Sequence, residues 1–128
     1  MSIRVEWDNP EQTRLIMDLF KSYTWAEFHE SIQDIHRRIA EVSQTVDIIV
    51  WMKVGLPEGA ALTHIRGAFK THPSNTGQMI IVSEQSPAMT FLSKRLASIV
   101  KTLFPDKGNF VFANTIEEAR MIAAKTKA

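Results

Sequence analysis

The chain of 128 residues contains no cysteine, which excludes disulfides, thiolate metal ligands and a cysteine nucleophile together. Stability must come from packing and hydrogen bonds. Five glycines and five prolines are too few for a collagen-like or low-complexity chain. Charge of one sign is also lacking: 15 basic and 14 acidic residues leave a formal net charge of +1. No global field gathers a polyanion, so nucleic acid is not an expected partner. No apolar run approaches the ~18 residues of a membrane-spanning helix. Met1 to Asp8 has neither the basic region nor the apolar stretch of a signal peptide, and a cytoplasmic location is the expectation. What is present is ordinary for a globular protein: 45% hydrophobic and 23% charged residues, in a length that fits one core. Residues 1–128 are therefore read as a single domain.

The apolar residues change period along the chain. Ile3, Val5 and Trp7 alternate with polar neighbours, Asp8-Asn9-Pro10-Glu11 breaks the run, and Leu15, Met17 and Leu19 resume it. This is the pattern of an antiparallel hairpin at one side of a sheet. From Trp25 the spacing becomes helical, through Phe28, Ile32, Ile35, Ile39 and Val42. Thr24 and Glu27 have the spacing of a capping box, with Tyr23 and Phe28 placed as a hydrophobic staple. Val46 to Met52, interrupted by Asp47, is a nearly continuous apolar run, as are Met79 to Val82 and Phe110 to Phe112. Such runs suit strands covered on both faces. Helical patterns lie between them, at Ala61, Leu62, Ile65, Ala68 and Phe69, and at Leu92, Leu96, Ile99, Val100 and Leu103. A last helix starts at Thr115, with Glu118 at capping-box spacing, and buries Ile116, Ala119, Ile122 and Ala123. The order ββαβαβαβα calls for an α/β layered domain: an N-terminal hairpin, then helices alternating with mainly parallel strands.

The chemistry-bearing residues form no recognised catalytic spacing. His29 and His36 fall on a similar helix face but two turns apart, roughly 10 Å, too far to share one ion. His64 and His72 are eight residues apart across a helix end, and all four read as solvated or structural. No serine has the flanking glycines of a nucleophile elbow. Gly55 and Gly59 follow the third strand without a phosphate-binding fingerprint. The pairs Arg37-Arg38 and Lys94-Arg95 read as solvated helix faces, because no aromatic residues interleave with them. The expectation is therefore not an enzyme, with no cofactor and no metal. The loop Lys53-Val54-Gly55-Leu56-Pro57-Glu58-Gly59 stands out, because the carboxyl ends of strands in open α/β sheets are where ligands and partners are met.

The element order, with Phe110-Val111-Phe112-Ala113-Asn114-Thr115-Ile116-Glu117-Glu118-Ala119 closing the chain, resembles the STAS family typified by bacterial anti-sigma-factor antagonists. The resemblance covers almost the whole chain and implies a STAS-like fold with a regulatory, protein-binding role. In that family a serine at the start of the second helix is phosphorylated by a partner kinase. The matching segment here is Pro57-Glu58-Gly59-Ala60-Ala61, which keeps the acidic position at Glu58 and lacks the acceptor. Thr63, one turn on, is the nearest hydroxyl. The implied role is a partner-binding module without that switch, with Lys53, Pro57, Glu58, Thr63 and Arg66 as the docking residues and an anti-sigma or kinase-like regulator as the partner. An alternative is a carrier or sensor of a small apolar ligand, lined by Met89, Phe91 and Leu92. A homodimer through the first strand is a further expectation.

Overall fold

The computed structural model describes residues 2–83 and 110–125, together with Lys94 and Ser98. Ile3–Trp7 (β1) and Arg14–Leu19 (β2) form the expected antiparallel hairpin, with Ile3 opposite Leu19 and Trp7 opposite Leu15. The turn is closed by Asn9, whose side chain accepts from the Thr13 and Arg14 amides and donates to the Thr13 hydroxyl. Val46–Met52 (β3), Thr76–Ser83 (β4) and Phe110–Ala113 (β5) add to β2 in parallel. The sheet order is β1-β2-β3-β4-β5, so β1 lies at an edge of the described sheet.

Three helices complete the described elements: Trp25–Ala40 (α1), Ala61–Phe69 (α2) and Ile116–Lys125 (α3). Of the segment read as a helix around Leu92 to Leu103, all but Lys94 and Ser98 lies outside the described residues.

Period-two alternation sorts the sheet into two faces. Val46, Ile48, Val50 and Met52 of β3 join Leu15, Met17 and Leu19 of β2 under α1 and α2. Helix α1 supplies Trp25, Phe28, Ile32, Ile35 and Ile39 to that layer, while α2 supplies Ala61, Ile65 and Ala68. Ile16, Ile49, Ile80, Val82 and Ala113 face the other way, against Ala119 and Ala123 of α3. The small alanines let α3 lie close to the sheet. Central strands covered on both sides explain why their sequences read as unbroken apolar runs.

Asp47 breaks one such run and is only 2% exposed. Its Oδ1 accepts the Gln78 amide at 2.8 Å, beside an irregularity in the β3–β4 register between Val46 and Ile48. The buried carboxylate thus satisfies a backbone donor that the ladder leaves over.

Candidate functional site

The site is built at the carboxyl ends of β2 and β3, where the chain leaves the sheet for α1 and for the loop to α2. Thr24 caps α1: its hydroxyl accepts from the Glu27 amide at 3.1 Å, and the Glu27 carboxylate accepts from the Thr24 amide at 3.2 Å. The cap fixes the first turn and with it Trp25, which is buried against Phe28 in an edge contact with centroids 5.3 Å apart. Trp25 reaches across the helix seam. Its indole N–H donates to the Glu58 carbonyl at 3.0 Å and pins the 53–60 loop near the start of α2.

Gly59 makes that approach practicable. Its φ of 116° lies where only glycine is comfortable, and a Cβ there would meet Trp25 Nε1 at 3.4 Å. The chain then turns into α2, with the Ala61 amide bonded to the Gly59 carbonyl at 2.9 Å. The N-cap of α2 is Ala60, which has no side chain able to cap the helix.

One turn into α2, His64 lies flat on the Trp25 indole, with centroids 4.7 Å apart and planes inclined by 11°. Its Nδ1 is 2.9 Å from Nε2 of His29 on α1. One of these nitrogens donates and the other accepts, according to the tautomer. The edge of Phe28 packs against His29 with centroids 5.7 Å apart. Two histidines that read as unrelated surface residues therefore meet across the α1–α2 seam.

The loop and helix residues named from sequence follow one another from the loop after β3 into α2, and Lys53 differs from the rest. Glu58, Thr63 and Arg66 are exposed and Pro57 is half-buried. Among the described residues, the Glu58, Thr63 and Arg66 side chains make no hydrogen bond or ion pair. Lys53 points to the opposite face of the sheet. Its Nζ lies 3.0 and 3.1 Å from the two oxygens of buried Asp18, and 3.9 Å from the centre of the Trp51 ring. Val54 and Leu56 pack instead into the layer under α1 and α2. Alternation across the end of β3 thus separates Lys53 from the other four.

The remaining expectations divide in the same way. Arg37 and Arg38 are tied along α1 to Asp34, and Arg37 also to Glu41, as a solvated helix face. Met89, Phe91 and Leu92 lie outside the described residues, as does Arg95. Burial lowers the His36 pKa, with the nearby His72 adding to the effect, and burial raises that of Tyr23 to about 12. Among the described residues no group of three or more His, Asp or Glu side chains converges to hold a metal ion. None of the described helices is long and apolar enough to cross a membrane.

Sequence reasoning missed the three contacts that organise this region. Trp25 with Glu58, His29 with His64, and Asp18 with Lys53 are separated by 33, 35 and 35 residues. No local spacing announces them. The available signals were a glycine after Glu58 and an acid at the end of an apolar strand. No family model, curated protein or solved structure matches the chain.

Proposed function

We propose that this chain is a regulatory protein-binding module without catalytic chemistry of its own, and that it docks its partner through the loop after β3 and the exposed side of α2. The observation that carries the reading is the anchored loop. The Trp25 indole holds the Glu58 carbonyl at 3.0 Å, so the backbone is fixed while the Glu58 carboxylate stays exposed. A surface whose backbone is held in advance loses less freedom on binding. Thr63 and Arg66 extend it along α2, with Pro57 at its border. Lys53 is a neighbour of this surface and not part of it, because its charge is engaged by Asp18.

The resemblance to anti-sigma-factor antagonists supports an anti-sigma or kinase-like regulator as the partner. Lack of a hydroxyl at Gly59 and Ala60 supports constitutive docking over release by phosphorylation there. Charge reversal tests the proposal. Glu58→Lys and Arg66→Glu should each remove one such regulator from the proteins recovered with the wild-type chain from its own cell extract, at unchanged melting temperature. Recovery of the same proteins with both variants would refute the assigned surface.

A further inference from the structure

We infer that His29 and His64 form a binding site for one divalent transition-metal ion of the copper, nickel or zinc kind. Two imidazole nitrogens from different helices, His29 Nε2 and His64 Nδ1, face one another at 2.9 Å. Bonds of 2.0–2.1 Å in tetrahedral geometry would set two histidine nitrogens about 3.3 Å apart. The pair therefore needs to open by only about 0.4 Å, within reach of small side-chain rotations.

The rings are held for this. The Trp25 indole stacks on His64, and the edge of Phe28 packs on His29. Trp25 is fixed in turn by its bond to the Glu58 carbonyl. Both histidines are half-buried, so the seam is open on one side. The proton now shared between the facing nitrogens occupies the place of the ion. With the ion bound, the donor ring carries its proton on the far nitrogen, which leaves both facing lone pairs for the metal.

The donor set selects the ion. Imidazole suits copper, nickel and zinc, whereas magnesium and calcium require oxygen ligands. No third His, Asp or Glu converges on the pair among the described residues, so water completes the coordination and the site is an open one. The inference stands independently of any protein partner.

Calorimetric titration of the full chain with Cu2+, Zn2+ and Mg2+ tests it. One equivalent of Cu2+ should bind more tightly than Zn2+, following the general order of divalent affinities, with no uptake of Mg2+. His29→Gln or His64→Gln should weaken Zn2+ binding by roughly ten-fold or more, since changes even outside the ligand shell reach that size. His72→Gln should leave it unchanged. If either substitution loosens the fold, imidazole nitrogen NMR of the wild type decides, because Zn2+ should shift the His29 and His64 resonances and spare those of His36 and His72. Lack of stoichiometric binding, binding that survives both substitutions, or shifts spread over all four histidines would overturn the assignment.

Discussion

Tyr23 is the chain's one tyrosine, and its hydroxyl is buried with no hydrogen-bond partner among the described residues. Burial raises its pKa from 10.0 to about 12, because an unsolvated phenolate is costly. The folded state thus keeps its proton where the unfolded chain gives it up. This contribution to stability is complete below pH 10 and is lost as pH rises towards 12, a fall on the order of 2 kcal/mol. Tyrosinate absorbance should titrate late in the native protein. Tyr23→Phe should remove the alkaline loss and cost little at neutral pH, as the hydroxyl makes no bond to lose. A native titration near pH 10 would place the ring in solvent.

His36 carries the opposite pH dependence. Its folded pKa is lowered from 6.5, by burial first and by His72 second, so the unfolded chain binds the proton more readily. Stability is then fully present above pH 6.5 and is lost as pH falls below it. His36→Gln should flatten the melting temperature between pH 6.5 and 5, while the wild type declines across that interval.

Gly77 illustrates a residue whose need for glycine arises from a neighbour. A Cβ there would run into Asp47 Oδ1, the acceptor of the Gln78 amide. Gly77→Ala should destabilise the protein by about 1–3 kcal/mol through overpacking, measured by denaturant unfolding. Sequence shows the glycine and the acid but not their meeting, because 29 residues of chain, including a helix, lie between them.

At the scale of elements, the capping box at Thr24 and the apolar stripe of α1 were legible because both are local patterns of three and four residues. The hairpin and the three later strands were legible for the same reason. The end of α1 was not. Asn75, just before β4, donates its side-chain amide to the carbonyls of Ile39, Val42 and Gln44 at 2.9, 3.1 and 2.9 Å. It closes the helix from more than thirty residues away. Val42, which continues the helical spacing, falls beyond the last turn as a result. Replacing Asn75 by Ala should cost about 2 kcal/mol, for two N–H donors shared among the three carbonyls at near 1 kcal/mol each. The loss should be larger than that for Thr24→Ala, about 1 kcal/mol. Amide exchange in the last turn of α1 checks the location of the effect.

Over the whole molecule, the sheet order follows from an antiparallel hairpin and successive parallel crossovers, which sequence reasoning can enumerate. The ion-pair cluster that ties the two ends of the chain together is not enumerable. Asp8 in the hairpin accepts from Arg14 at 3.0 Å and from Arg120 of α3 at 2.7 Å, and its side chain is 5% exposed. Arg120 lies 112 residues away. Its pKa is raised, chiefly by the hydrogen bond to Asp8. Asp8→Asn should free α3 at its contact with the hairpin, seen as faster amide exchange in residues 116–125 with β3 and β4 unaffected.

The same long-range logic governs the proposed docking surface, where α1 fixes a loop that belongs to the β3–α2 crossover. The most direct test is hydrogen exchange of the chain bound to the regulator it recovers, compared with the chain alone. Slowed exchange should be confined to residues 56–66, the later part of the loop after β3 and the first part of α2. Protection of the β1 edge or of α3, with residues 56–66 unchanged, would contradict it.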